Sequence, residues 1–463
     1  MKSLIFLAGI GVIALLSEVF RFRKWVFPLM LLGLVGAMAS AVYDWNAPAH
    51  HFFNNMLVFD NMAIAFTLVM CFTFFLWLIG SRADFEEHTH ITDTLSLSAF
   101  ALTGAMMMVS YGNLVMLFLG IETLSIPLYV LAGSRKNSLN SNEAALKYFL
   151  MGSFATGFLL MGIALVYGVT GAFHVHTIAD YVKTMNGQYP PMFYLGVVLI
   201  FCAMAFKVSA APFHFWAPDV YTGAPTQVTA LMSTVVKTAA FAAFFRLFNT
   251  CFAPVGGSWL LLAEVLAALT LLVGNISALV QDNVKRMLAY SSVAHAGYLM
   301  LGIISISLPS AANGNAILFY TLAYSLGGLL AFSVLYLVSE STQSDHAEAF
   351  RGLFRRNPFL AVSLSIALFS LAGIPPMAGF FGKYYLFVNA IHSGHIWIVL
   401  VAVLASLVGV WYYLRLMATL FAKGGDELGP VAVPVAQRVV IWTCLLGLLA
   451  LGLFPNALVQ ILS

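Results

Sequence analysis

Fourteen apolar runs of about membrane-spanning length follow one another along this chain. A transmembrane helix needs about 20 consecutive, mostly apolar residues. Only 8% of the 463 residues are charged, whereas soluble domains typically carry about 25%. We therefore expect an all-α polytopic membrane protein with a single integral membrane domain over residues 1–463. The predicted spans are 3–20, 25–43, 57–80, 94–109, 111–132, 144–169, 191–222, 225–250, 259–280, 285–307, 314–339, 359–393, 396–421 and 437–461.

The seventh and twelfth predicted spans, 191–222 and 359–393, are longer than a bilayer requires and contain prolines near their middle. Proline removes a backbone hydrogen bond and clashes with the preceding turn. We therefore expect both helices to be broken within the membrane. A break leaves backbone groups unpaired, which a membrane protein tolerates only against other protein or a wet cavity.

The two broken spans lie five helices apart, which predicts two five-helix repeats. The first repeat is expected at about 94–250 and the second at about 259–421, after three helices in 1–80 and before a last helix at 437–461. An odd number of helices per repeat inverts the second copy relative to the membrane. Inverted repeats with discontinuous helices are typical of ion and substrate pathways in transporters.

The basic residues predict the orientation of these spans. Of 21 Lys and Arg residues, 13 fall on the side of the first loop, 3 fall on the opposite side and 5 lie within spans. Cytoplasmic loops carry an excess of Lys and Arg. We expect a multi-pass protein of the bacterial inner membrane with both termini on the periplasmic side.

Nucleotide and redox-cofactor motifs are missing from the sequence. The four cysteines, Cys71, Cys202, Cys251 and Cys444, form no C-x-x-C pair, which argues against an iron–sulfur cluster, zinc or disulfide framework. The sequence contains no G-K-[ST] loop and no G-x-G-x-x-G after a strand. We expect no cofactor in this chain, and its net charge of +3 gives no indication of nucleic-acid binding.

Four ionisable residues lie well inside predicted spans and are candidates for proton transfer: Glu122, Lys207, Lys237 and Lys383. A charge at the centre of a membrane helix costs about 2.5–3.5 kcal/mol. Burial disfavours the protonated form of a lysine, and a nearby carboxylate favours it. Moving a partner or wetting a cavity can therefore switch such a lysine. We expect Glu122 to tune Lys207, Lys237 to pass protons across the middle, and Lys383 to exchange with one aqueous phase.

Two further residues have both a functional and a structural interpretation. His295 lies within a span and titrates near neutral pH when unperturbed, so it is a candidate bridge between Lys237 and Lys383 or a packing residue bonded to Ser or Tyr. Lys147 is a relay site or a lysine that extends to the membrane surface. Structural roles are expected for Arg415 and Glu264.

Four stretches carry a resemblance to a known family: G-I-E-T-L-S-I-P-L-Y-V-L-A-G (120–133), the long K-V-S-A-A-P-F-H-F-W-A-P motif within 207–237, A-L-V-Q-D-N-V-K-R-M-L-A-Y-S-S-V-A-H-A-G-Y (278–298) and L-A-G-I-P-P-M-A-G-F-F-G-K (371–383). They resemble the antiporter-like membrane subunits of respiratory complex I over roughly residues 90–420. Lys383, where the M-like branch usually has glutamate, favours the N-like branch. So does the absence of a long lateral helix after the last span.

The resemblance implies proton translocation coupled to quinone reduction elsewhere. It places the family's functional glutamate at Glu122 and its lysines at Lys207, Lys237 and Lys383. It further implies hetero-oligomeric assembly with other complex I membrane subunits in membrane lipid. NADH, FMN, iron–sulfur clusters and quinone are then expected in partner subunits. The acidic segment 84–88 (D-F-E-E-H), interpreted as a loop, has no family counterpart.

Two alternatives remain open from the sequence. The same architecture serves subunits of multi-subunit Na⁺/H⁺ antiporters and membrane-bound hydrogenases. A non-transporting scaffold for neighbouring membrane subunits is the other class of function, although a scaffold has no need of lysines inside its spans.

Overall fold

The computed structural model describes residues 1–88, 91–185, 187–306 and 310–457. Helices account for most of this chain, as expected for an all-α membrane protein. In chain order they are α1 Lys2–Leu16, α2 Arg23–Tyr43, α3 Asn61–His88, α4 Ile91–Ser110, α5 Leu114–Ala132, α6 Leu139–Thr170, α7 Val175–Met185, α8 Pro191–Lys207, α9 Trp216–Gly223, α10 Thr226–Leu231, α11 Lys237–Leu247, α12 Gly256–Leu279, α13 Val284–Ile304, α14 Ser310–Thr342, α15 Leu353–Arg356, α16 Pro358–Ala372, α17 Ala378–His392, α18 Ile396–Phe421 and α19 Val435–Leu453.

Membrane-spanning character is confirmed by length and composition. Within the described ranges, ten helical segments are long and apolar enough to cross a bilayer. One of them, Thr226–Leu279, comprises α10, α11 and α12 joined by π-helical and 3-10 turns. Three shorter apolar helices, α1, α8 and α16, accompany them. The total of fourteen spans remains a prediction.

Both predicted helix breaks are confirmed. The seventh predicted span ends as a helix at Lys207 and resumes at Trp216, and the twelfth ends at Ala372 and resumes at Ala378. Each break contains one cis X–Pro peptide bond, Ala211–Pro212 and Pro375–Pro376. Each helix therefore ends inside an apolar segment, as the prolines indicated.

The sequence interpretation was wrong at the acidic segment 84–88, which belongs to the end of α3. Asp84 is buried there and forms a 2.9 Å ion pair with Arg135. The partner offsets the cost of burying a carboxylate, so the charged run did not end the helix.

Two further elements were not predicted. Strands β1 (His50–Phe52) and β2 (Leu57–Phe59) form a short antiparallel hairpin in place of the first residues of the predicted third span. Helix α7 is amphipathic: it buries Val175, Ile178 and Val182 and exposes its charged residues.

The chain divides into two compact units. The first comprises Met1–Phe75, Ala83–Val208 and Val235–Ala263. In it, α4 packs against α1 and α5, and α6 packs against α8. Aromatic side chains join α8 to α11, with the rings of Phe201 and Phe244 5.2 Å apart.

Main-chain hydrogen bonds close one end of the first unit. Gly112 N donates to Met56 O at 2.9 Å, and Gly112 O accepts from Val175 N at 3.0 Å. Leu114 N donates to Phe173 O at 2.9 Å. The β-hairpin and the start of α7 are thus attached to the loop between α4 and α5.

The second unit comprises Leu76–Arg82, Ser209–Thr234 and the chain from Glu264 onward. Helix α14 packs against α10, α16, α17 and α19, and α13 packs against α9 and α17. Trp77 Nε1 donates to Gln227 O at 2.7 Å, which attaches the α3 segment of this unit to α10. The domain and repeat boundaries expected from the sequence remain predictions.

Candidate proton-transfer sites in the two units

Glu122 lies on α5 of the first unit and is partly buried. Thr156 of α6 donates a 2.8 Å hydrogen bond from its hydroxyl to Glu122 Oε1. This hydrogen bond joins the Glu122 carboxylate to the neighbouring helix α6.

Lys207 is the last residue of α8, directly before the first break. Its Nζ donates a 2.6 Å hydrogen bond to Ser125 Oγ, one turn after Glu122 on α5. Ser125 in turn donates to the carbonyl of Ile121. Glu122 is also close enough to interact electrostatically with Lys207. The structure thus brings Lys207 to the turn of α5 that follows Glu122, with Ser125 as its hydrogen-bond acceptor.

Lys237 is the first residue of α11 and is only 3% exposed. A π-helical turn, Met232–Val236, immediately precedes it. Such turns widen the helix locally and occur frequently at functional sites. The lysine therefore lies deep in protein beside an irregular turn, as its central place in the span predicted.

Lys383 of α17 reaches back across the second break. Its Nζ donates a 2.8 Å hydrogen bond to the carbonyl oxygen of Ala372, the last residue of α16. The last carbonyls of a helix have no partner within the helix and carry partial negative charge. The ammonium also lies 4.6 Å from the ring centroid of Tyr298, a cation–π distance. The broken helix end thus supplies a partner for this cation.

The break also provides a hydrogen-bond acceptor for a backbone N–H in the first turn of α17. Gly379 N donates to Ser370 Oγ at 3.1 Å, so a side chain of α16 caps the following helix. Gly373 adopts φ +81°, and a Cβ at that position would contact the Lys383 side chain. Glycine is required here both by backbone conformation and by the approach of the lysine.

His295 of α13 is 4% exposed and has a tyrosine hydroxyl at each ring nitrogen. Nδ1 lies 2.6 Å from Tyr320 Oη, and Nε2 lies 3.3 Å from Tyr413 Oη. Tyr413 is hydrogen-bonded to Ser291 as well. A histidine held between two hydroxyls can accept a proton at one nitrogen and release one from the other.

The two units contain different members of the predicted set. Glu122, Lys207 and Lys237 belong to the first unit, and His295 and Lys383 belong to the second. Within the second unit, the ring of Tyr298 lies beside both His295, at 5.9 Å between centroids, and the Lys383 ammonium. The sequence did not indicate this intermediate aromatic ring.

Lys147 differs from the other lysines. It also belongs to the first unit, its side chain is 40% exposed, and it forms a 2.7 Å ion pair with Glu143 one turn earlier on α6. Such a pair contributes only a few tenths of a kcal/mol. At this position Lys147 can exchange protons directly with water, unlike the buried lysines.

The residues expected to be structural have identifiable partners. Arg415 binds Asp282 at 2.7 Å, and Glu264 accepts from Trp397 Nε1 at 2.9 Å and lies 2.5 Å from His395 Nδ1. The cysteines are free thiols, and no group of metal-ligating side chains occurs in the part of the chain that the structure describes.

Sequence reasoning anticipated Ser or Tyr partners for His295 only as a class, and it missed Ser125 as the partner of Lys207. Ser125, Tyr320 and Tyr413 appear in the sequence as ordinary members of apolar helices. His214, in the first break, is also buried, and its Nδ1 has no hydrogen-bond partner among the described residues. Its place within the P-F-H-F-W segment of the first break was the one available signal in the sequence.

The fold and these sites together define a class: a multi-pass helical membrane protein with two broken helices and ionisable groups buried beside the breaks. Residues 112–409 match the family model for the transmembrane region of NADH:quinone oxidoreductase and Mrp antiporters. The chain belongs to this family.

Its relatives are similar over the full length. The NADH-quinone oxidoreductase subunit N of Cytophaga hutchinsonii is 43% identical, with 100% of this chain and 99% of that protein covered. The subunit N of Flavobacterium psychrophilum is 38% identical, with both chains fully covered. Among solved structures, respiratory complex I from Thermus thermophilus with bound aureothin contains a chain with a TM-score of 0.85 and 35% identity, covering 100% of this chain and 99% of that one.

Proposed function

We propose that this protein is the proton-translocating subunit N of an NADH–quinone oxidoreductase, and that it moves protons through Glu122, Lys207, Lys237, His295 and Lys383. The observation that carries the proposal is the pair of lysines at the helix breaks. Lys207 and Lys383 each lie at a break, and each has a neutral hydrogen-bond acceptor as partner. A lysine bonded to a neutral acceptor keeps that hydrogen bond when it loses its proton, because a neutral amine still donates.

In the first unit, Glu122 and Ser125 stabilise the protonated form of Lys207, and Lys237, buried in the same unit, receives the proton. In the second unit, His295 with its two tyrosines and Lys383 continue the transfer. Interacting sites of this kind titrate as a set, so protonation of one group changes the proton affinity of the next. Lys147 exchanges protons with water at the periphery of the first unit.

The oxidation chemistry belongs to other subunits in this proposal. NADH, FMN, iron–sulfur clusters and quinone bind to partner subunits, and this chain contributes proton movement within the assembled membrane complex. Both termini lie on the periplasmic side, supported by the excess of basic residues in alternate loops.

The test uses the assembled complex in sealed vesicles. We expect Lys237→Ala and Lys383→Ala to abolish most NADH-driven proton translocation, measured with a pH-sensitive dye, while subunit content on native gels is unchanged. Lys423→Ala, in an exposed loop, is the matched control. Normal pumping by assembled Lys237→Ala and Lys383→Ala complexes would refute the assignment of these residues.

A second candidate is a subunit of a multi-subunit Na⁺/H⁺ antiporter, favoured by the inclusion of Mrp antiporters in the matching family. Co-purification separates the two. Dehydrogenase activity in the purified complex supports the first function, whereas partners without NADH oxidation, together with Na⁺-dependent proton movement, support the second.

A further inference from the structure

A polar pocket of about 680 Å³ lies in the second unit, where α12, α14 and α18 end. Its wall is formed by the last two turns of α18 and by the segments that follow α12 and α14. Helices of this length and composition end at the membrane surface, so the pocket lies at the depth of lipid headgroups. The charged and polar side chains that line it are Asp282, His346, Glu348, Arg351, Arg415 and Thr419.

Two of the four charged side chains of the pocket bind each other. Arg415 Nη2 lies 2.7 Å from Asp282 Oδ1. The other two, Glu348 and Arg351, have no ion-pair partner among the described residues, and both are exposed. Arg351 Nε donates a 2.9 Å hydrogen bond to the carbonyl of Lys423, which leaves its two terminal nitrogens available. The pocket therefore offers one cation and one anion to an occupant.

Glu348 and Arg351 are held in fixed positions by the main chain. Residues Ala347–Phe350 form a 3-10 turn, and Arg351 N, directly after it, donates to Glu348 O at 3.0 Å. Side chains three residues apart lie on the same side of such a turn. Gly352 N donates to Thr419 O at 3.1 Å, which attaches the end of this turn to α18. The carboxylate and the guanidinium are thus presented together on one side of the pocket.

An exposed apolar face leads along α12 and α18 to the pocket. Trp397 Nε1 donates to Glu264 at 2.9 Å, and Tyr412 Oη donates to Asn275 at 3.4 Å. These bonds show that the two helices run side by side in the same direction. Their outer side chains are large and exposed by 42% or more, and they recur three or four residues apart. Those nearest the pocket are Leu272, Ile276, Val280, Leu407, Trp411 and Leu414.

We propose that the pocket binds the headgroup of a phospholipid that carries both a phosphate and a primary ammonium, the phosphatidylethanolamine class. Its acyl chains lie on the apolar face of α12 and α18. Arg351 donates to the phosphate, since the guanidinium presents paired N–H groups to phosphate oxygens. Glu348 accepts hydrogen bonds from the ammonium. The site is separate from the proton-transfer residues and does not depend on the proposed function.

The charges of the pocket select this headgroup. A headgroup with a phosphate and no cation leaves Glu348 unpaired beside a second negative charge. Choline has no N–H to donate, and proteins bind quaternary ammonium groups with aromatic rings. No Trp, Tyr or Phe occurs among the described residues that line this pocket. A zwitterionic headgroup with two acyl chains matches one cation, one anion and two adjacent apolar helices.

The test uses the purified complex reconstituted with trace amounts of photoreactive lipids. Phosphatidylethanolamine, phosphatidylcholine and phosphatidylglycerol carry the same diazirine acyl chain, and labelled peptides are mapped by mass spectrometry. We expect the ethanolamine lipid to label residues 407–423 most strongly. Arg351→Gln is expected to lower this labelling about tenfold, the scale of a charge-assisted hydrogen bond, and Glu348→Gln to lower it to the choline level. Arg438→Gln, exposed at the start of α19 and outside the pocket, is the matched control.

Three outcomes overturn the site, and each can be read in the unaltered complex. Equal labelling by the three lipids means contact with bulk lipid only. Stronger labelling by phosphatidylglycerol means an anionic ligand. Labelling of the exposed α6 residues Phe154 and Met161 without any labelling of 407–423 means that a neighbouring subunit covers this face. Proton pumping is not a readout here, so each of these outcomes leaves the proposed function to its own test.

Discussion

Lys383 Nζ caps the carbonyl of Ala372 across the second helix break, at 2.8 Å. The lysine therefore serves two purposes: it carries charge, and it satisfies the end of α16. Loss of the proton leaves a neutral amine that still donates a hydrogen bond but no longer compensates the negative end of the helix dipole. Protonation at Lys383 is thereby linked to how firmly the two halves of the broken helix are held together.

Gly373→Ala tests this link. Alanine at φ +81° costs backbone energy and pushes against the Lys383 side chain. We expect a stability loss of about 1–2 kcal/mol together with reduced proton pumping, measured by thermal inactivation and by acidification of sealed vesicles. Gly394→Ala is the matched control. Gly394 has φ +88°, so alanine there suffers the same backbone strain, but its Cβ would have no neighbouring atom within 4 Å. Equal pumping by the two variants would contradict the linkage.

Ser125→Ala removes the acceptor of the Lys207 ammonium. A hydrogen bond to a charged group contributes about 1.5–3 kcal/mol, so we expect pumping to fall about tenfold while the complex still assembles. Ser98→Ala is the control, since Ser98 is equally buried and donates only to the Leu95 carbonyl of its own helix. Unchanged proton translocation in Ser125→Ala would mean that Ser125 does not set the state of Lys207.

Asp60→Asn tests a structural ion pair of the first unit. Asp60 Oδ1 binds Arg246 Nη2 at 2.5 Å and caps α3 through Ala63 N at 2.8 Å. Its neutralisation is expected to destabilise the protein by about 2 kcal/mol and to leave the ratio of protons moved to NADH oxidised unchanged. Asp180→Asn, which removes an exposed 3.7 Å pair with Lys183, is expected to have almost no effect. The readout is the midpoint of thermal inactivation of the complex.

We expect the complex with Lys147→Gln to retain most of its proton pumping, whereas the complex with Lys237→Gln loses it. Lys147 is partly exposed and paired with Glu143, so water can replace it as a proton donor. Proton translocation in vesicles, compared with Lys136→Gln, distinguishes a peripheral site from an essential one. A complete loss of pumping in Lys147→Gln would place it within the relay.

The sequence was sufficient for the broken helices and the buried charges. Prolines and lysines inside apolar runs are costly, so their positions in 191–222 and 359–393 predicted both breaks. The sequence could not identify the partners. Ser125 and the Ala372 carbonyl are brought to their lysines by packing between helices, and neither differs in sequence from many similar residues in this chain.

The partners of the tyrosines and of the buried carboxylate Asp84 were harder to predict from the sequence. Tyr320 and Tyr413 count as large apolar residues in any periodicity, although their hydroxyls contact His295. Asp84 was interpreted as part of an acidic loop after a span that ends at residue 80, whereas it lies in α3 and its partner Arg135 comes 51 residues later. Polarity that depends on tertiary partners cannot be derived from local sequence.

The β-hairpin of the first unit is attached through main-chain atoms at Met56 and Gly112. Its tip, Phe53 to Asn55, is exposed and has positive φ at all three residues. The attachment therefore does not depend on the identity of these side chains. A short epitope inserted after Asn54 offers an antibody handle on the intact complex, and its reactivity in sealed right-side-out and inside-out vesicles would report on which side of the membrane this end of the subunit lies.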